Sequence, residues 1–268
     1  MEKSLVARTW SGVIFVAVIL CAVCWSPKWG AGVLFTVLAL ASMREFYAVW
    51  LDTARRRTLL CMGAALFLLV AVFGITHAGW PLLGLAGLIP FLAVLMICTL
   101  YARDARPLVV VSVACWGIVY IALPFALLVH VSGMEHADAL LAGYFMLLWV
   151  NDSGAYLTGV TFGRHRLMES VSPRKSWEGF WGGALLTVAL SLVMQRFMPG
   201  LPDTWWVVSL LVVCFGVYGD LFESLLKRSL GVKDSGRFMP GHGGLLDRFD
   251  SLLASAPAFW LYLMIGMQ

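Results

Sequence analysis

The sequence predicts an all-α, polytopic integral membrane protein with about nine transmembrane helices. Apolar residues make up 61% of the 268 positions and charged residues only 13%, whereas soluble domains average roughly 45–50% apolar and roughly 25% charged residues. Apolar stretches of about 20 residues, the length that spans a bilayer as a helix, recur along the chain. Lys and Arg are distributed unevenly between the segments that join these stretches, as the topology of a membrane protein requires.

Nine apolar stretches are long enough to be membrane spans. They lie near residues 10–26, 31–50, 59–77, 81–102, 107–130, 139–160, 178–198, 204–226 and 249–267. We expect the first stretch to be an uncleaved span, because no small-residue cleavage site follows it. No segment between spans is long enough for a separate soluble domain, so residues 1–268 are predicted to form one membrane domain.

The basic residues predict the orientation of the chain. With nine spans, all but two of the 19 Lys and Arg residues fall on one side, and the exceptions are Lys28 and Arg196. Since cytoplasmic loops carry the excess of Lys and Arg, the N-terminus is predicted to be cytoplasmic and the C-terminus to lie outside. The longest polar loops, 163–177 and 227–248, then face the cytoplasm.

Ionisable residues inside a bilayer are costly and usually functional. Asp152 falls within the sixth predicted span. In the eighth span, Asp220, Glu223, Ser224 and Lys227 follow the spacing i, i+3, i+4, i+7 and share one helical face. This pattern predicts a polar stripe that descends from the cytoplasmic surface into the membrane.

A second acidic pair, Asp247 and Asp250, opens the ninth span. Converging carboxylates suit a hard cation such as Mg²⁺, and nearby Lys and Arg residues suit phosphate groups. An alternative is structural: Asp220 could pair with Lys227 or Arg228 to neutralise charge between packed helices.

Two polar loops are candidates for ligand contacts. The loop at 227–250 contains Gly236, Gly241, Gly243 and Gly244, which free the backbone for close approach to a ligand, and His242, which is either a surface residue or a ligand contact. In the other loop, Ser172 and Pro173 predict a helix N-cap with proline at the first helical position. Arg174 and Lys175 would then lie at a helix N-terminus, which favours anions. Alternatively, this loop serves only topology and contacts with anionic lipids.

These same segments resemble the CDP-diacylglycerol synthases, also called phosphatidate cytidylyltransferases. The resemblance rests on Ser224-Leu-Leu-Lys-Arg228, Lys233-Asp234, Pro240-Gly-His-Gly-Gly-Leu-Leu-Asp-Arg-Phe-Asp250, Asn151-Asp-Ser-Gly-Ala-Tyr156 and Ser172-Pro-Arg-Lys-Ser-Trp-Glu-Gly179. It covers most of residues 149–251, and the first half of the chain resembles the family only as a set of apolar helices.

The resemblance implies that CTP and phosphatidate react to CDP-diacylglycerol and pyrophosphate in a Mg²⁺-dependent step, with a second ion left open. It implies Asp220, Asp247 and Asp250 as metal ligands and, with Lys227 and Ser224, as the catalytic set. Contacts with the substrate phosphates are expected from Asn151, Asp152, Arg174, Lys175, Ser176, Arg228, Lys233, Asp234, His242 and Arg248.

The resemblance also implies a homodimer in a cell's inner (plasma) membrane. We expect residues 1–135 to serve as scaffold or dimerisation helices and residues 136–268 to be catalytic. The expected partners are CTP, phosphatidate and membrane lipids, and we expect no nucleic acid.

Two other functions are weighed against this one. An ion-coupled transporter also has intramembrane acids, but these should lie near the bilayer midplane. A CTP-dependent lipid-alcohol kinase needs the same nucleotide and metal, and the loop motif of residues 224–250 disfavours it.

Overall fold

The computed structural model is mostly helical. It describes residues 2–51, 55, 58–60, 62–63, 88–101, 106–229, 231–232, 236 and 244–266. The chain divides into two compact units, one formed by residues 1–135 with 235–246 and the other by residues 136–234 with 247–268. The assignment of one membrane domain stays a prediction.

In its described residues, the first unit contains α-helices and two π-helical turns. They are α1 (Glu2–Trp25), a π turn (Pro27–Ala31), α2 (Gly32–Trp50), α3 (Leu88–Tyr101), α4 (Pro107–Gly117), a second π turn (Ile118–Ala122) and α5 (Leu123–Val131). Proline opens both the first π turn and α4, where its missing N–H costs no hydrogen bond.

Tyr47 joins α2 to α4 inside the first unit. Its ring is buried, and its hydroxyl donates to the Ala114 carbonyl at 3.1 Å. A Cβ at Gly117 would lie 2.6 Å from ring carbons of Tyr47. Glycine at this position therefore allows the aromatic ring to lie against the helix backbone.

The second unit contains four helices and a small hairpin. They are α6 (Ala137–Phe162), β1 (Arg166–Met168), β2 (Ser172–Ser176), α7 (Trp177–Phe197), α8 (Trp205–Ser229) and α9 (Asp250–Gly266). A 3-10 turn at Leu246–Arg248 precedes α9 in the chain. Helix α6 packs against α7, and α8 packs against α9, α7 and α6.

Glycines bring α6 and α7 into backbone contact. A Cβ at Gly183 would lie 2.9 Å from the Asn151 carbonyl oxygen, and one at Gly179 would lie 2.8 Å from the Ala155 carbonyl oxygen. Across the same interface, the Thr158 hydroxyl donates to the Gly179 carbonyl at 3.4 Å. Small residues at a helix interface permit such close approach in a membrane.

Aromatic residues fill the core between α6, α8 and α9. The Tyr144 ring stacks on Phe259 with 4.4 Å between centroids, and Trp205 meets Phe259 edge to face at 6.0 Å. The buried Tyr144 hydroxyl forms a 2.7 Å hydrogen bond with the Ser255 hydroxyl. This bond gives a phenol surrounded by apolar groups the partner that its burial requires.

Four helical segments in the described part of the chain are long and apolar enough to cross a membrane: Pro27–Trp50, Pro107–Val131, Trp177–Phe197 and Trp205–Ser229. This is consistent with an all-α integral membrane protein. The third predicted span, near residues 59–77, lies largely outside the described residues, and the number nine stays a prediction.

The predicted helix N-cap at Ser172 is wrong. Residues 172–176 form β2, which pairs antiparallel with β1 through Arg166 with Ser176 and Met168 with Ser172. The N-cap of α7 is Ser176, whose hydroxyl accepts from the Gly179 backbone N–H at 3.1 Å. Proline is tolerated near the start of an edge strand as well as at a helix start, so Pro173 fits either structure.

We expect Gly183→Ala to destabilise the protein by about 1–3 kcal/mol, because the added methyl group meets backbone atoms that cannot move aside. Gly216→Ala is the matched control, since its Cβ would lie 3.5 Å from Ser251 in ordinary contact. Thermal unfolding in detergent should separate the two variants, and equal unfolding temperatures would contradict the described α6–α7 interface.

Candidate active site

The predicted polar stripe is present on α8, close to its C-terminal end. Asp220, Glu223, Ser224 and Lys227 all lie in this helix. The Ser224 hydroxyl donates to Asp220 Oδ1 at 3.4 Å, and Lys227 Nζ lies 3.1 Å from Glu223 Oε1. Both contacts join residues four apart, as one face of an α-helix requires.

Lys227 also contacts a carboxylate outside its helix. Its ammonium group donates to Asp247 Oδ1 at 2.7 Å, so one cation lies between Asp247 and Glu223. The side chains of Lys227, Asp247 and Glu223 are only 17%, 10% and 2% exposed. Charges this deeply buried persist only when they are paired, so the three groups depend on one another.

A second cation approaches α8 from the hairpin. Lys175, on β2, forms a 2.6 Å ion pair with Asp220 Oδ2. The same ammonium group lies 3.5 Å from the Val217 carbonyl, one helical turn before Asp220. Asp220 is therefore neutralised by Lys175, whereas Lys227 pairs with Glu223 and Asp247. The alternative in which Asp220 pairs with Lys227 or Arg228 does not match these contacts.

Two further carboxylates lie within electrostatic range of Asp220. The charge of Asp152, on α6, interacts with those of Asp220 and Lys175. The charge of Asp250 interacts with those of Asp152, Asp220 and Glu223. Asp250 opens α9, and its Oδ1 accepts from the Ser251 N–H at 2.7 Å. Residues from three helices and the hairpin thus meet at one site within the second unit.

The carboxylate oxygens at this site are the type of ligand that Mg²⁺ prefers. Within the described residues, however, no three His, Cys, Asp or Glu side chains converge closely enough to enclose an ion. Mg²⁺ commonly takes only one or two carboxylates and completes its shell with water and substrate phosphates. Asp220, Asp247 and Asp250 provide hard oxygen donors of this kind. The carboxylates at the site also outnumber the two lysines that contact them in the described segments.

The remaining predicted residues fall into three groups. Arg174, Arg228 and Arg248 have exposed side chains. Ser176 and Asn151 are buried. Ser176 caps α7, and Asn151 is only 1% exposed, with neither of its side-chain polar atoms in a hydrogen bond to a described residue. Lys233, Asp234 and His242 lie outside the described residues.

The sequence prediction assigned no role to Glu223, although this residue lies on the predicted stripe. Its signal was present in the spacing, since an acid four residues before a lysine on a helix is an expected ion pair. Its near-complete burial could not be read from the spacing, because burial depends on the helices that pack against it.

Comparison with known proteins adds a second line of evidence. A sequence model described as the cytidylyltransferase family matches residues 6–265. A phosphatidate cytidylyltransferase of Staphylococcus epidermidis is 47% identical over 115 residues, which cover 42% of this chain and 44% of that protein.

Two further relatives give similar figures. A phosphatidate cytidylyltransferase of Staphylococcus aureus is 46% identical over 115 residues, covering 42% of this chain and 44% of that protein. One of Mycobacterium bovis is 45% identical over 118 residues, covering 43% of this chain and 38% of that protein. The matched segment therefore spans less than half the length of each of these relatives.

We expect Lys227→Met to lower stability by roughly 3 kcal/mol, because removing one member of a buried ion pair leaves the Glu223 carboxylate buried without its cation. Adding Glu223→Gln should restore part of this loss, since the buried group is then neutral. Thermal unfolding of both variants tests this expectation. Arg228→Met, an adjacent exposed change, is the control, and an equal effect there would contradict the described pairing.

Proposed function

The chain belongs to the cytidylyltransferase family, and we propose that it is a phosphatidate cytidylyltransferase, which converts CTP and phosphatidate to CDP-diacylglycerol and pyrophosphate. The relatives that carry this name are 45–47% identical to the chain over the matched segment. The proposal also rests on the site itself, whose chemistry is that of a phosphate-transfer enzyme.

The observation that carries the proposal is the pairing of two lysines with carboxylates at one end of α8, through Lys175 with Asp220 and Lys227 with Asp247. Ammonium groups bind phosphate oxygens, and carboxylates bind the cation that accompanies a nucleotide triphosphate. A site that offers both kinds of group can hold a nucleotide and a second phosphate together.

In the proposed reaction, a phosphate oxygen of phosphatidate attacks the α-phosphorus of CTP. A new P–O bond forms, the bond between the α-phosphorus and its bridging oxygen to the β-phosphate breaks, and pyrophosphate leaves with that electron pair. The attacking phosphate is already an anion, so little deprotonation is needed. The main barrier is repulsion between two polyanions, which Lys175 and Lys227 lower by electrostatic stabilisation and alignment.

The other basic residues have supporting roles in this proposal. Arg174, Arg228 and Arg248 are exposed. They adjoin Lys175, Lys227 and Asp247 in sequence, and we expect their side chains to reach phosphate oxygens. Lys233, Asp234 and His242 belong to the same motif. Ser224 remains close to Asp220 through their hydrogen bond, and the reaction as written needs no covalent enzyme intermediate.

We propose that Asp220, Asp247 and Asp250 hold Mg²⁺. When bound, this ion would neutralise charge on the phosphoryl oxygens during displacement. Because Asp220 and Asp247 each contact a lysine, an arriving Mg²⁺–nucleotide would offer the carboxylates a metal and the lysines phosphate oxygens. Asp220 and Asp247 would then exchange a lysine partner for the metal, while Lys227 keeps its contact with the buried Glu223.

We place the enzyme in the plasma membrane, with about nine spans, a cytoplasmic N-terminus and an external C-terminus. The distribution of Lys and Arg supports this orientation. The site would then face the cytoplasm, where a lipid phosphate held by its acyl chains can meet soluble CTP. A homodimer is the expected assembly.

A direct assay tests the function. Purified full-length protein in detergent micelles containing phosphatidate should convert radiolabelled CTP into a lipid-extractable product, with release of pyrophosphate. We expect EDTA to stop the conversion and excess Mg²⁺ to restore it. A protein that leaves the label in the aqueous phase under all these conditions would refute the proposal, as would equal labelling without phosphatidate.

We expect Asp220→Asn and Asp247→Asn each to lower kcat/KM by at least about 100-fold, the scale of losing one preorganised electrostatic group. Both variants should still be recovered from the membrane. Asp203→Asn makes the same chemical change at an exposed turn before α8 and should retain full activity. Full turnover by either site variant would disprove the role given to that carboxylate.

A further inference from the structure

The carboxylate of Glu178, in the first turn of α7, binds the start of the segment that leads into the hairpin. Oε2 accepts from the Arg164 backbone N–H at 3.0 Å, and both oxygens accept from the His165 backbone N–H at 3.2 Å. Oε1 also lies 2.6 Å from His165 Nδ1. One side chain thus holds two consecutive residues that precede β1.

These contacts close the open end of the hairpin. The Trp177 N–H donates to the His165 carbonyl at 2.9 Å, next to the pairing of Arg166 with Ser176. Backbone and side-chain hydrogen bonds therefore link residues 164–165 to residues 176–178 at the base of the hairpin. The opposite end of the hairpin, at residues 169–171, is a turn.

A hairpin this short needs such an anchor. Strand β1 has three residues and β2 has five. The register of β1 against β2 shifts between positions Arg166 and Met168, so the pairing of the two strands is irregular. An isolated two-stranded hairpin is marginally stable at best in water. Hydrogen bonds that involve a charged acceptor are stronger than neutral ones, and the Glu178 carboxylate makes several of them to residues 164 and 165, so together they help to hold the strands on α7 although water screens each one.

The anchored strand carries a cation of the candidate active site. Lys175 lies on β2, three residues before Glu178, and forms the 2.6 Å ion pair with Asp220 on α8. Because Lys175 is part of β2, a shift of the β2 backbone moves its ammonium group relative to Asp220. Loss of the anchor would let this backbone move and would weaken the ion pair.

We propose that Glu178 is a positioning residue, which fixes the β1–β2 hairpin on α7 so that Lys175 is held at the phosphate-binding site. It contacts neither substrate nor metal and acts through Lys175. This inference rests on the proposed function for its kinetic consequences, whereas its structural consequence can be measured without substrate.

The experiment compares four changes in the full-length protein: Glu178→Ala, Glu178→Gln, Lys175→Ala and the double change of Glu178→Ala with Lys175→Ala. Glu169→Ala is the control, because it removes the same charge from the exposed turn of the same hairpin. Hydrogen exchange of segment 164–176 without substrate, thermal unfolding, kcat and KM are measured for each protein.

Glu178→Ala should speed exchange in segment 164–176 and raise KM about tenfold for the substrate whose KM also rises in Lys175→Ala. A tenfold effect is the scale expected for losing one charge-assisted hydrogen bond. We expect the unfolding temperature to change little, and kcat to fall no further than it does in Lys175→Ala. Glu178→Gln retains an acceptor for the backbone N–H groups and should recover most of the wild-type KM, and Glu169→Ala should match the wild type.

The double variant separates positioning from a general structural role. If Glu178 acts through Lys175, adding Glu178→Ala to Lys175→Ala should raise KM no further. Multiplicative effects in the double variant would overturn the proposal, and so would unchanged exchange in Glu178→Ala. Absence of CDP-diacylglycerol synthesis by the wild-type protein would instead refute the proposed function, while the exchange result would still decide whether Glu178 anchors the hairpin.

Discussion

Compensation of buried charge is the constraint on which the arrangement of the second unit depends. Glu223 is almost fully buried, and Lys227 lies between it and Asp247. In a medium of low polarity, none of these three charges is stable alone. The end of α8 and the turn before α9 must therefore lie together, and this requirement brings Asp250, at the start of α9, close to Asp220 and Glu223.

Close helix packing extends the same arrangement to α6 and the hairpin. Backbone contact at Gly179 and Gly183 places α6 directly against α7, so Asp152 on α6 and Lys175 before α7 reach α8 from neighbouring elements. Small residues thus have an indirect effect on electrostatics, since a wider separation of these helices would move the charges apart. The arrangement of the charged residues therefore depends on the close packing at the glycine interface.

Local regularity explains what could be predicted from the sequence. The helix repeat alone placed Asp220, Glu223, Ser224 and Lys227 on one face, and the structure confirms this face through its contacts between residues four apart. Apolar length likewise indicated helices where α1, α2 and α6 to α9 occur.

Contacts between distant segments could not be predicted in this way. The pairing of Lys175 with Asp220 depends on how β2 meets α8, and no spacing rule relates residues so far apart in the chain. The failed N-cap at Ser172 has a similar cause, since Pro173 is compatible with both a helix start and a strand. The choice depended on the pairing of β2 with β1 and on Ser176, whose hydroxyl caps α7.

The two partners of Lys227 become available at different moments of protein synthesis. Glu223 belongs to the same helix, so its contact with Lys227 can form as soon as α8 leaves the ribosome, and an acid four residues before a lysine is the favourable order. Asp247 follows 20 residues later. A nascent α8 can therefore enter the bilayer with its lysine already neutralised, and the later carboxylate joins a pair that exists before the helix bundle is complete.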